Sequence, residues 1–136
     1  MNGFAPPRAG NTRHLVWLYH EASRRDGMTA LLTLEREIAA STRADLDHAV
    51  AHARLDWWQG EMQRLAAGQP EHPLCVRLLA ALRERRAPAP NFEPLVEAMR
   101  WAVACTAFED RAEIGQCFDA WSGTVFVTAA NLAPLQ

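Results

Sequence analysis

Apolar positions recur along this chain at three- and four-residue intervals, the period of a helix buried on one side. Thr12 opens a first such segment, with Leu15, Leu18, Tyr19 and Ala22 on one side, and Asp26-Gly27 is expected to break it. A second helix is predicted from Met28 to Ala40 on Leu31, Leu34 and Ile38. A third, the longest, is predicted from Ala44 to Ala67 behind a Thr42/Asp45 capping box, with Leu46, Val50, Ala53 and Trp57 as its apolar side. Gly68 supplies the left-handed residue that stops it, and Pro73 opens a fourth helix running to Arg86 on Leu74, Leu78, Leu79 and Leu82. The basic run Arg83, Arg85, Arg86 reads as the solvated C-terminal end of that helix. After the stiff Ala87-Pro88-Ala89-Pro90 connector, Asn91 caps a fifth helix to Ala104, striped by Phe92, Leu95, Met99 and Val103. A sixth, Asp110 to Leu132, carries Ile114, Cys117, Trp121, Val125, Thr128 and Leu132 on one side. Residues 1–11, with two glycines and two prolines, read as a flexible arm. The pattern is therefore all-α: one domain of about six helices, with no internal repeat.

Composition changes this picture little. A length of 136 residues suffices for one domain with its own core, and 49% hydrophobic with 22% charged residues is an ordinary globular balance. A net charge of −2 gives no electrostatic case for nucleic acid. Lysine is absent and arginine carries all the strong positive charge, which suggests a GC-rich bacterial genome. Cys75, Cys105 and Cys117 are odd in number and lack Cys-x-x-Cys spacing, so they read as reduced, core-filling thiols. No secretory leader and no membrane-length apolar run occur, and a cytoplasmic protein with at most peripheral membrane contact is expected.

Several constellations bear on chemistry. Asp45, His48, His52 and Asp56 share a helical stripe, and His48-x-x-x-His52 has a chelating spacing. The stripe lies opposite the expected apolar side, so it reads as a solvated outer face. Neither a nucleophile elbow, a Walker sequence nor a dinucleotide fingerprint occurs. His72, just before Pro73, reads as a helix cap. Trp17, Trp57, Trp58, Trp101 and Trp121 suit packing or the lining of an apolar cavity.

The segment from Arg54 to Pro73 is the most distinctive: R-L-D-W-W-Q-G-E-M, then G-Q-P-E-H-P. It resembles the tryptophan-pair segment of the squalene/phytoene synthase family, usually worded R-x-x-W-W-R-x-E-L followed by G-x-x-x-H-P. Further on, F-E-P-L-V-E-A-M resembles the family's F-x-x-L-V-E-A-M, and Gln116, Cys117, Gly123 and Val125 stand at places comparable to its Y-C-x-x-x-A-G-x-V helix. The resemblance assigns residues 12–136 to a helical domain that forms part of an isoprenoid-synthase-type fold. It implies prenyl-diphosphate chemistry with Mg²⁺ held between two D-x-x-x-D helices.

Here the first of those helices reads L-T-L-E-R-E-I-A-A-S, and Glu35 and Glu37, two apart, point to opposite sides. Both read as solvated helix surface. The family's second acidic helix is expected beyond Gln136. This wording is similar to a divergent branch that includes complex I assembly factors. The expectation is a domain without complete prenyl transfer, binding an isoprenoid or other apolar ligand, or a protein partner. The alternative is an Mg²⁺-dependent head-to-head prenyltransferase completed by another chain. Candidate substrate-binding residues are Glu35, Glu37, Arg54, Trp57, Trp58 and Gly123, with no catalytic residue, metal ligand or cofactor assigned. Gly123, inside a helix, is expected to serve close packing or a cavity. If Phe118, Phe126 or Val127 faces outward, a homo-oligomer or a complex with a protein partner is expected.

Overall fold

The computed structural model describes residues 8, 9, 12, 25–43, 45–104 and 111–133. Five helices carry the chain: α1 (Arg25–Ala40), α2 (His48–Ala66), α3 (Pro73–Glu84), α4 (Glu93–Ala104) and α5 (Arg111–Leu132). No strand occurs among the described residues. α1 packs on α3 and α5, α4 lies against α2 and α5, and the core forms where these faces meet. Met28, Leu31, Leu34 and Ile38 of α1 meet Leu78 and Leu82 of α3, with Leu55, Met62, Phe92, Leu95 and Met99 closing the other side. The predicted first helix, Thr12 apart, lies outside the described residues, as do most of the expected arm, Trp17 and Cys105.

The expected break at Asp26-Gly27 is not there, because both residues belong to the first turn of α1. Gly27 is present for space rather than for a turn: a Cβ on it would stand 2.7 Å from Ala81 Cβ and 3.0 Å from Leu132 Cδ2. Asp26 suits the positive end of the helix dipole.

α2 also departs from expectation. It starts at His48 with Asp47 as its cap, whose carboxylate accepts the Ala49 N–H at 2.9 Å. The predicted capping box is dismantled, since Thr42 Oγ donates to the Ala39 carbonyl and Asp45 pairs with Arg43. The buried side runs through Ala51, Leu55, Trp58, Met62 and Leu65, while Val50, Ala53 and Trp57 are exposed. The expected stripe was therefore one residue out, a rotation of about 100°. Apolar residues sit on both sides of this helix, so periodicity alone chose the wrong one.

Helix ends follow the sequence more closely. Gly68 takes φ +79° beyond α2, and Gln69 N–H closes onto the Arg64 carbonyl at 2.8 Å. His72 Nδ1 accepts the Leu74 N–H at 3.1 Å, capping α3, and Asn91 Oδ1 accepts the Glu93 N–H at 3.0 Å, capping α4. The basic run after α3 is only partly a solvated end. Arg83 donates to the Gly68 carbonyl at 3.1 Å, and Arg85 reaches the Ala133 carbonyl at 2.7 Å, tying α3 to the end of α5.

A candidate apolar cleft between α1 and α5

α1 and α5 diverge enough to leave a cleft of about 520 Å³, within the size range of small-molecule sites. Met28, Leu32 and Glu35 enter it from α1, one per turn. Phe118, Ser122, Val125 and Ala129 of α5 face them at the same spacing, flanked by Trp121 and Phe126, and Thr12 adds a polar edge. Phe118 and Phe126 are 68% and 69% exposed, so the cleft opens outward beside two aromatic rings. Val127, next to them, is exposed as well. Hydroxyls on α5 turn away from the cleft chemistry: Ser122 Oγ donates to the Phe118 carbonyl at 2.5 Å, and Thr128 Oγ to the Thr124 carbonyl at 3.0 Å.

Glu35 overturns its expected place on a solvated surface. Its side chain is buried, and Oε1 accepts the Trp121 indole N–H at 2.7 Å. This bond locks a carboxylate of α1 to the aromatic wall of α5. Glu37, two positions on, is exposed. Among the proposed site residues, only Glu35 lines the cleft. Gly123 does not serve close packing; it is exposed, and a Cβ there would meet nothing within 4 Å. Sequence reasoning missed Phe118, Ser122 and Phe126 as cleft residues, although their i, i+4, i+8 spacing on the last helix was a readable signal.

The tryptophan-pair segment forms a separate cluster. Arg54 is exposed and Trp57 half-exposed, whereas Trp58 is buried. The two indoles meet edge to face at 5.0 Å between ring centres, and the His72 ring stands 5.1 Å from Trp58. Arg64 lies over Trp57 at 5.9 Å. At the centre of this cluster sits Glu61, fully buried. Its Oε1 accepts the Glu71 N–H at 2.9 Å and the His72 N–H at 2.7 Å, while Oε2 accepts Arg64 Nε at 2.8 Å. Burial disfavours its charge, but the hydrogen bonds from His72, Arg64 and Glu71, aided by the Arg64 charge, outweigh that and hold the carboxyl below the usual carboxylate range. Glu61 is thus the pin that folds the Gly68–His72 turn back onto α2. The Cys75 thiol is pushed up to about 12, first by burial and then by the charge and hydrogen bonding of Glu61, so it stays protonated and inert.

The Asp45/His48/His52/Asp56 stripe stays on the outside, with the two imidazoles edge to face at 4.8 Å. Its carboxylates are engaged elsewhere, Asp45 with Arg43 and Asp56 with Arg100 at 2.7 Å. Gln59, standing where the family wording has arginine, accepts a hydrogen bond from the same Arg100 at 2.6 Å. A magnesium–diphosphate cage asks for clustered, accessible carboxylate oxygens. α1 offers the cleft Glu35 alone, with Oε1 committed to Trp121 and Glu37 turned outward. Among the described residues no three His, Cys, Asp or Glu side chains converge on a cation position. The described residues therefore do not fit that cage.

No curated protein and no solved structure matches the chain significantly. A family model described as squalene/phytoene synthase matches residues 7–133. An all-helical domain, a tryptophan pair followed by a Gly68–Pro73 turn, and a match over nearly the whole length together place the chain in the squalene/phytoene synthase family.

Proposed function

We propose that this family member binds an apolar, isoprenoid-like ligand in the α1/α5 cleft and does not itself complete head-to-head prenyl transfer. The observation that carries this reading is the lining: Met28, Leu32, Phe118, Trp121, Val125, Phe126 and Ala129, with the Glu35 carboxylate, the one among the described lining residues, bonded to the indole of Trp121. Covering a large apolar side chain is worth about 1.5–3 kcal/mol. Shielding the exposed rings of Phe118 and Phe126 gives at most about 3–6 kcal/mol before ordering and association costs, the scale of a weak ligand site. Calorimetric titration with farnesol, alongside incubation with farnesyl and geranylgeranyl diphosphates plus Mg²⁺, tests both halves. Saturable binding without a condensed product is expected. Condensation at enzyme-like turnover would remove the second half, and no binding would remove the first.

A second reading, an Mg²⁺-dependent prenyltransferase completed by another chain, draws on the exposure of Phe118, Phe126 and Val127 along α5. On that reading the partner brings the acidic ligands, and condensation activity appears only when the two chains are combined.

A further inference from the structure

α5 packs against α1, α3 and α4 and buries Val125, Thr128 and Leu132, but another side of it stays open. Successive helical positions turn by about 100°, so Gly115, Phe118, Ser122, Phe126 and Ala129 fall on one strip about 80° wide. Phe118 and Phe126 are its most exposed members, at 68% and 69%, and the three smaller residues are half-buried. The strip carries no ionisable side chain, and none follows Asp119 in the rest of the helix. Two aromatic rings exposed on an uncharged helix face mark an association surface, and the face offers no charge pattern to select a dissimilar partner.

The spacing along the strip is symmetric. Phe118 and Phe126 stand four residues to either side of Ser122, and Gly115 and Ala129 stand seven to either side. A strip of that kind matches a reversed copy of itself, as a two-fold interface requires. We infer that α5 pairs antiparallel with α5 of a second copy of this chain, about a two-fold axis at Ser122. Phe118 of one copy then meets Phe126 of the other, and Gly115 meets Ala129. A Cβ on Gly115 would touch nothing within 4 Å, so nothing packed around it in this chain calls for a glycine there. Opposite a second helix, the missing side chain lets the two backbones approach. A phenylalanine offers about 150–250 Å², so four rings exposed to this extent supply about 400–700 Å². Stable specific interfaces begin near a total of roughly 1,200 Å². The rest of a strip about 21 Å long brings the contact toward that lower limit, and a dimer with micromolar dissociation is expected. Phe118 and Phe126 also edge the α1/α5 cleft, so the pairing lays the second copy across its mouth. The inference stands on the exposed face and holds whether or not the cleft takes a ligand.

Sedimentation velocity of the full chain over about 1–100 µM reads the association directly, and a shift from the 15.2 kDa monomer to twice that mass is expected. Phe126→Glu sets a carboxylate against the Phe118 ring of the other copy and should raise the dissociation constant about tenfold or more. The side chain it replaces is exposed, so the helix content seen by circular dichroism should not change. Ser122→Cys tests the axis without weakening the contact: each new thiol faces its own counterpart, and oxidation should give a 122–122 disulfide in the peptide map. Val127→Cys, exposed but about 140° further round the helix, should give no such link. A chain that stays monomeric throughout, whether or not it floats with phosphatidylcholine vesicles, overturns the inference. So does a dimer that Phe126→Glu leaves unchanged, or a dimer in which Ser122→Cys links no better than Val127→Cys.

Discussion

Replacing Glu61 should unfasten the turn that carries the family's most distinctive wording. The side chain is fully buried and satisfies the backbone N–H groups of Glu71 and His72, the residues that lead into α3. Glu61→Leu keeps the volume and leaves both amides without acceptors, at about 1–3 kcal/mol each. Arg64 adds less, because its side chain is 35% exposed and can turn to water. The loss should therefore reach about 2–6 kcal/mol, a large share of the roughly 5–15 kcal/mol that stabilises an ordinary domain. Glu61→Gln keeps one oxygen for the two amides but sets an NH₂ donor against Arg64 and removes the charge, so about 1.5–3 kcal/mol is expected. At roughly 4 °C per kcal/mol for a chain of this size, the glutamine variant should melt about 6–12 °C lower and the leucine variant lower still. Denaturant midpoints at constant slope would give the same ranking. A leucine variant within about 0.5 kcal/mol of wild type would refute the role given to Glu61.

Acid should act through the same residue: its folded-state carboxyl is held below the usual range, so its contribution is complete above the unfolded-state value and is lost as pH falls through the folded one. Between about pH 5 and pH 3 the melting temperature of wild type should fall more steeply than that of Glu61→Gln, and parallel curves would count against the assignment. Two glycines should respond oppositely to alanine. Gly27→Ala drives a methyl against Ala81 and should cost about 1–3 kcal/mol, whereas Gly123→Ala enters open space and should gain up to about 1 kcal/mol, both read by chemical denaturation. Cys75, buried and held protonated, should resist iodoacetamide at about pH 8 in the folded chain and react after denaturation, as peptide mass mapping would record.

The helical plan was legible because Leu74/Leu78/Leu82 and Phe92/Leu95/Met99 each recur on one buried face, and because Gly68, His72 and Asn91 act locally; on α5 only Val125, Thr128 and Leu132 of the expected stripe are buried, while Ile114 is exposed. α2 was misread because Val50 and Trp57 are apolar yet exposed, so two stripes competed and only packing on α4 selects one. Gly27 looked like a break, since close approach of α3 and α5 cannot be seen from neighbouring residues alone. The cleft was the least legible feature. Glu35 is bonded to Trp121, 86 positions away, and no local pattern couples them. Glu61 was visible as a polar residue within an apolar stripe, but its acceptor role depends on the return of the Glu71–His72 backbone.

Photo-crosslinking with a benzophenone-bearing prenyl alcohol tests the central claim most directly. Peptide mapping should place the label on the α5 segment containing Phe118, Trp121 and Phe126 and on the α1 segment containing Met28 and Leu32, with excess farnesol suppressing both. Label concentrated on the Trp57–His72 segment, or label that farnesol does not displace, would contradict an apolar ligand site between α1 and α5.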